Sequence, residues 1–447
     1  MSMKKNCSQN AQNGFSKEPE RSGRQGKCAL RHRSGHAGWE GSVEREVEVE
    51  MMRKSKHPIA VLGLPLDSLT ASEAVDAIEG LILSGGMHQV ATANLDFWLN
   101  SLADQHLHRI IAGCSLVLPD GMPLVWASGL LGCPLAERVT GVDLVPRLAE
   151  LSARKGYGIF LLGGKGDVAE RAAKLLGRNY PGVRIVGTYS PTEEHIARLD
   201  HSDILSRIHA AKPDILLVAL GNPKQGKWIW IHRKRLGVPV AMGVGGSFEI
   251  LVGDVQRAPK LIQRCGLEWL MRLMQEPSRL GPRYLRDFLG LARRLPMTLV
   301  SAWLQRPYLG KTYVMTATTP QALHVYVHGK LSAGIGPELQ AATNATIASG
   351  QVMVVHLQTT RQVTAAGLGI LMDARRQLLD SGLSLSLAGL NFKMRLLLHA
   401  WCAQPLFDEW QPAIAYGRSM APGTMTAARM DINEERDALV AQNRARG

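Results

Sequence analysis

Patterns that would bind a metal or form disulfides are missing from this chain. Its six cysteines, Cys7, Cys28, Cys114, Cys133, Cys265 and Cys402, are scattered, with no C-x-x-C pair and no histidine nearby at ligand spacing. Neither a disulfide framework nor a metal site is expected, and the thiols read as reduced, as in a cytosolic protein. There is no H-E-x-x-H, no Ser-His-Asp order, no G-x-G-x-x-G and no Walker sequence, and the fourteen histidines are dispersed. No apolar run reaches the roughly 18 residues a spanning helix needs, and no charged n-region with an apolar h-region opens the chain. The expectation is a cytoplasmic protein that touches a membrane at most from its inner face.

What is present is length, apolar material and positive charge. At 447 residues the chain is long enough for two or three folded units, and 45% hydrophobic residues supply their cores. The net charge of +14 points to an anionic partner: nucleic acid, a phosphorylated substrate or anionic lipid.

Texture divides the chain into five. Residues 1–57 hold twelve Lys/Arg against seven Asp/Glu with no periodic apolar pattern, which predicts a disordered arm; Met51 or Met52 is an equally good start. Residues 58–256 alternate short apolar runs ("IAVLG", "HQVATAN", "SLVLP", "GIFLLGG", "VRIVGTY", "DILLVALG", "VPVAMGVGG") with helical segments such as Asp167 to Arg178 and Glu193 to Ala211. That alternation predicts an α/β fold, Rossmann-like, with a mostly parallel sheet and helices on both faces. Residues 257–311 form a basic helical appendage, eleven Lys/Arg against Glu268, Glu276 and Asp287, with Arg283, Arg286 and Arg293 on one helical face. Residues 312–412 read as a second, small β/α domain, and 413–447 as a polar, disordered tail with a short helix near Asn433 to Gln442.

In parallel sheets ligands sit at the carboxyl ends of strands, and the polar motifs fall there. "VLPDGMPLVWAS" places Asp120 after a buried-looking strand. Asp-Gly is a common turn pair, and the same carboxylate is also suited to act as a general base. "FLLGGKGD" supplies Gly163 and Gly164 at a β-α turn, either a phosphate cradle or simply a tight turn. In "VALGNPKQGKW", Asn222, Lys224 and Gln225 follow a strand. There Lys224 would meet a diphosphate and Gln225 a sugar or base, or the segment is a solvated helix start.

Read together, "TANLDF", "LPDGMPLVWAS", "ERVTGVDLV", "FLLGG", "ALGNPKQGKWI", "GVGGSFEILVGDVQRAP" and "GLEWLMRLMQEPSRL" resemble, in order, the WecG/TagA/CpsF glycosyltransferases over roughly Pro58 to Arg294. The resemblance implies an inverting, metal-independent transferase without a cofactor. It would move N-acetylmannosamine or its uronic acid from UDP to a polyprenyl-diphosphate-linked sugar at the cytoplasmic membrane face, in bacterial surface polysaccharide synthesis. It implies Asp120 as catalytic base, with Thr92, Arg138 and Gln225 around the substrate; Asn94, at the same strand end as Thr92, is a further substrate-binding candidate by position. Arg272, Arg279 and Arg283 would lie in an appendage that engages the diphosphate at an anionic membrane. Trp269, Tyr284 and Trp303 are candidate interface anchors or packing residues. The chain departs from the family at Gly226, Glu249 and Gly281-Pro282.

The chemistry agrees: an inverting transfer needs one base and cationic groups for the departing diphosphate, and arginine's planar fork suits phosphate. An oxidoreductase lacks its glycine fingerprint here, and a nucleic-acid-binding role lacks a motif, so nucleic acid is not expected as a partner. A basic scaffold acting through its C-terminal domain is the remaining alternative. That domain resembles a STAS domain through "VVHLQTTRQVTAAGLGILMDARRQL". Thr364, Ala365 and Ala366 stand where such domains carry a switch serine, so the resemblance implies docking to a protein partner, or mere tethering, in place of a serine phospho-switch.

Overall fold

Among the described residues, eight short strands precede residue 244: β1 (Ile59–Val61), β2 (Leu64–Leu66), β3 (His88–Ala93), β4 (Leu116–Pro119), β5 (Gly158–Gly163), β6 (Arg184–Tyr189), β7 (Ile215–Ala219) and β8 (Val240–Gly243). In this computed structural model, which describes residues 57–192, 198–305 and 307–410, β3 to β8 form one parallel sheet in the order β4-β3-β8-β7-β5-β6. The expected arm up to residue 56, with Met51 and Met52, lies outside the described residues. So do most of Glu193 to Arg198 and the tail with its helix near Asn433.

Side-chain alternation covers both faces of this sheet. Ile215 and Leu217 pack with the helices Ala71–Ser84, Gly141–Lys155 and Val168–Asn179, while Leu216 and Val218 pack with His201–Ala211 and Lys224–His232. Beyond β4, Val117 joins Ala91 and Ala93 against the helices Leu95–Ala103, Gln105–Ala112 and Met122–Leu130. Local chemistry sets the helix starts. Thr70 and Glu73 form a reciprocal capping box, and Asn94, Thr140 and Asp200 each cap a helix with a side-chain oxygen.

"IAVLG" is a strand, but not of this sheet. β1 and β2 form a separate antiparallel hairpin whose two-residue loop, Leu62 and Gly63, takes positive φ at both positions. The loop carbonyls accept hydrogen bonds from Trp98 Nε1 (2.9 Å) and the His108 ring (2.9 Å).

The basic appendage comprises the helices Lys260–Arg264, Glu268–Gln275 and Pro277–Trp303, the last running on through Pro282 and Pro296. After it come β9 (Tyr313–Thr318), β10 (Ala322–Leu331), β11 (Val352–His356), β12 (Thr360–Val363), β13 (Leu385–Ala388) and β14 (Asp408–Glu409). They make a second sheet, β12-β10-β11-β13-β14, in which β9 runs antiparallel along the first part of β10. Helices Gly336–Ser349 and Ala365–Asp380 cover one face.

The second domain does not stand apart. Helix Ala365–Asp380 is buried along its whole first half, between its own sheet and the β1-β2 hairpin. A side chain at Gly369 would meet the Pro58 carbonyl oxygen at 1.9 Å, so only glycine permits this contact. Trp98, Leu62, Val117, Leu371 and Trp401 therefore share one apolar cluster. Thr364 caps the helix through Gly367 N (3.1 Å) and donates to Leu331 O (3.2 Å), so its hydroxyl is occupied internally.

Candidate active site

Asp120 sits where β4 gives way to a helix. Its N–H donates to Ala93 O (2.8 Å), and Gly121 then starts helix Met122–Leu130, with Pro123 in the first turn where a missing N–H costs nothing. The side chain is half-buried at the carboxyl end of the sheet. Burial pushes its pKa up from 3.8 to about 7, against the lowering fields of Arg138 and Arg272, with Glu268 and Asp143 adding to the rise.

The cations around it come from two parts of the chain. Arg138 donates to Glu268 (3.0 Å) at the start of helix Glu268–Gln275, and Arg257 bridges Asp143 (2.6 Å) and Glu268 (3.6 Å). These pairs hold the appendage against the strand ends. Gly266 reinforces the contact: it has positive φ, and a side chain there would collide with Met122 at 2.7 Å. Among the described residues Arg272 makes no side-chain hydrogen bond or ion pair, although its charge reaches Asp120.

Other expected site residues have structural tasks. Thr92 Oγ1 donates to Gly243 O (3.3 Å), and Gln225 Oε1 accepts from Gly245 N (3.0 Å) while its amide lies against Gly243. Both side chains are buried and tie β3 and the β7 crossover to the end of β8. Asn94 caps its helix through Phe97 N (2.9 Å) beside Gly121. Lys224 is half-buried at the start of its helix. At the glycine turn, Gly163 approaches Ala219 so closely that a side chain would meet its carbonyl at 2.5 Å, and Gly164 N donates to that same oxygen (3.0 Å). One amide expected to face phosphate is thus spent on the strand crossing.

Arg279 and Arg283, expected on the diphosphate, are engaged elsewhere. Arg279 pairs with Glu276. Arg283 (2.9 Å) and Arg286 (2.6 Å) both bind Asp96, whose second oxygen also accepts from Asn222 (2.6 Å), and Arg286 reaches the buried Asp287 (3.1 Å). Taking Asp96 and Asp287 out of water is costly, and the arginines offset that cost by supplying each carboxylate with a counter-charge. Two arginines therefore clamp the long helix onto the sheet's carboxyl end, and Arg138 and Arg272 remain beside Asp120. Trp269 packs edge-on against Tyr284 (6.2 Å) and Phe288 (5.1 Å), a packing role for both candidate anchors.

The same span matches a known family. Residues 59–306, more than half of the chain, fit the glycosyl transferase WecG/TagA/CpsF family. The chain belongs to this family. Similar proteins include the N-acetylglucosaminyldiphosphoundecaprenol N-acetyl-beta-D-mannosaminyltransferase of Staphylococcus aureus (strain MW2), 29% identical over 231 residues, covering 51% of this chain and 89% of that one. A protein of the same description from Bacillus spizizenii is 33% identical over 190 residues, covering 42% and 72%. The anti-sigma factor antagonist SpoIIAA, in its unphosphorylated form, aligns with 28% of this chain and 98% of its own at 14% identity, with a TM-score of 0.18. A score that low carries no weight for the second domain, whose β/α character rests on its own strands and helices. Among the described residues no helix is long and apolar enough to cross a membrane.

Asp96, Asp143, Arg257 and Glu268 have no role in the sequence reading, although all four lie inside or beside the family's motif blocks. A buried carboxylate and a solvated one look alike in one dimension. The available signal was position: Asp96 stands two residues after Asn94 in "TANLDF", at the end of a predicted strand.

Proposed function

We propose that this glycosyltransferase moves N-acetylmannosamine, or its uronic acid, from UDP to a polyprenyl-diphosphate-linked sugar with inversion, at the inner face of the cytoplasmic membrane. The observation that carries the reading is the half-buried Asp120 carboxyl beside Arg138 and Arg272. The names of the relatives, which specify an N-acetylmannosaminyl group and an N-acetylglucosaminyldiphosphoundecaprenol acceptor, support the substrate class.

Asp120 takes the proton of the acceptor hydroxyl as its oxygen attacks the anomeric carbon from the face opposite UDP. The C–O bond to the diphosphate breaks, and the electron pair leaves with UDP. A carboxylate with a pKa near 7 is a stronger base than an ordinary one and is still substantially ionised at neutral pH. Negative charge grows on the departing diphosphate, and this reading assigns its neutralisation to Arg272 and Arg138 rather than to a metal ion. Thr92, Asn94, Asn222, Lys224, Gln225, Gly163 and Gly164 shape the surrounding strand ends.

The lipid acceptor fits the appendage. Helix Pro277–Trp303 exposes Leu285 (62%), Leu289 (61%), Val300 and Trp303 (83%) at helical spacing along one stripe, flanked by arginines. A protein-docking role for the second domain would have to use a surface other than helix Ala365–Asp380, which the chain itself covers.

The test is UDP release from UDP-N-acetylmannosamine with a lipid-diphosphate N-acetylglucosamine analogue. Wild type turns over, and Asp120→Asn is slowed by about 10²-fold or more. Silence of the wild type with every UDP-amino sugar offered, or full activity of the Asn variant, overturns the reading.

A further inference from the structure

The edge of the parallel sheet is where the second domain reaches the reaction. β4 is an outer strand, so the backbone groups on its free side need partners. Pro119 has no N–H there, and its carbonyl accepts from Val139 N (2.9 Å). Val117 is met twice by Asp67: its N–H donates to the Asp67 carboxylate (2.7 Å), and its carbonyl accepts from Asp67 N (2.8 Å). Two residues before the strand, the Cys114 carbonyl accepts from Arg376 (3.3 Å).

Arg376 belongs to helix Ala365–Asp380, more than 250 residues away in sequence. The same guanidinium pairs with Asp373 and lies 3.8 Å from Asp67, and Asp373 is further held by His57 (2.8 Å) and Gln377 (3.1 Å). The side chains are 13% exposed for Arg376, 7% for Asp67 and 6% for Asp373, so one cation serves two carboxylates almost out of water.

We infer that Arg376 is a positioning residue for Asp120: from the second domain it holds Asp67 on the outer edge of β4, and so fixes the strand whose end carries the reacting carboxyl. The inference rests on the proposed role of Asp120. Without Arg376 the buried Asp67 loses its counter-charge, and Asp373 keeps only His57 and Gln377. Asp67 must then take up a proton or swing outward, and either change loosens its hold on Val117. β4 has four residues, and Asp120 comes three after Val117, so little chain is left to absorb a shift before the site. A displacement on the order of 1 Å costs about 10²-fold when a base must meet a hydroxyl. Lysine carries the charge but not the planar fork that reaches Cys114 O, Asp67 and Asp373 together.

The full-length Arg376→Ala protein tests this by two readouts. Hydrogen exchange of the amides in 115–120 is expected to quicken at least tenfold, with those of Ile215–Ala219 unchanged as the internal reference. In UDP release, kcat is expected to fall at least tenfold with KM for the donor within twofold, and Arg376→Lys to fall between the variant and wild type. Unchanged exchange in 115–120, or quickened exchange with unchanged kcat, overturns the inference. If the alanine variant does not fold, the lysine variant decides: smaller changes of the same pattern support it, and wild-type behaviour in both readouts overturns it. If wild type transfers no sugar, the proposed function fails by itself, while exchange still judges the hold on β4.

Discussion

At the scale of single residues, the raised pKa of Asp120 has two consequences of opposite benefit. The base works only when ionised, so kcat/KM is expected to climb with pH along an acid limb centred near 7, measurable by UDP release between pH 5 and 9. The folded state, in contrast, prefers the protonated carboxyl. The unfolded chain releases its proton near 3.8 and the folded chain near 7, so this group's contribution to stability falls as pH rises between those values and is fully lost above them. Asp120→Asn should therefore be more stable than wild type at pH 8, by roughly 1–3 kcal/mol after allowing for its partial exposure, and melt at a higher temperature, with the difference vanishing toward pH 4. Thermal melts at both pH values check this. Arg272→Ala is expected to lower kcat more than it raises KM, because its charge is needed most as UDP departs. The sequence made Asp120 legible through its place after a strand and its motif. It could not show that Thr92 and Gln225 spend their polar atoms on the Gly243 and Gly245 backbone, because a side chain's partner depends on which strands become neighbours.

Among the elements, helices and strands were read well where apolar period and length agreed. The segment read as Asp167 to Arg178 forms a helix displaced by one residue, Val168–Asn179. The hairpin β1-β2 was misplaced for a physical reason. "IAVLG" has the composition of a buried parallel strand, and burial is what it has, but the burial is supplied by helix Ala365–Asp380 instead of by sheet neighbours. Gly369 is the tightest point of that contact. Gly369→Ala is expected to destabilise the protein by roughly 1–3 kcal/mol or more, seen as a lower urea midpoint, since the Pro58 backbone has to move. The long basic helix was expected to bring Arg283 to the diphosphate at an anionic membrane, yet Arg283 and Arg286 pair with Asp96 and Asp287, and the helix exposes an apolar stripe. Leu285→Glu combined with Leu289→Glu should abolish co-sedimentation with anionic liposomes while leaving turnover of a water-soluble acceptor within about twofold. Retained binding would remove the helix from membrane attachment.

Over the whole molecule, the two sheets are joined by a common apolar cluster that runs from Val117 through Leu62 to Leu371 and Trp401. Two domains that share a core should melt together, so calorimetry is expected to show a single transition for the described part of the chain, with van't Hoff and calorimetric enthalpies in agreement. Two separated transitions would mean the shared cluster contributes little. From the sequence the second domain was legible as a small β/α unit after a basic segment; its integration with the first was not, because Arg376, Asp67 and Gly369 acquire their meaning only when distant segments meet.

The β1-β2 hairpin sets an order of events during synthesis. The helix that completes its burial is made about 300 residues after it, a wait of roughly 15 to 60 s at elongation rates of about 5–20 residues per second. Through that interval the hairpin has its neighbours from the first sheet, Trp98 and His108 among them, but the face that helix Ala365–Asp380 covers stays bare, so chaperone capture, and the loss of prematurely terminated chains to proteases, follow from where these few residues find their shelter.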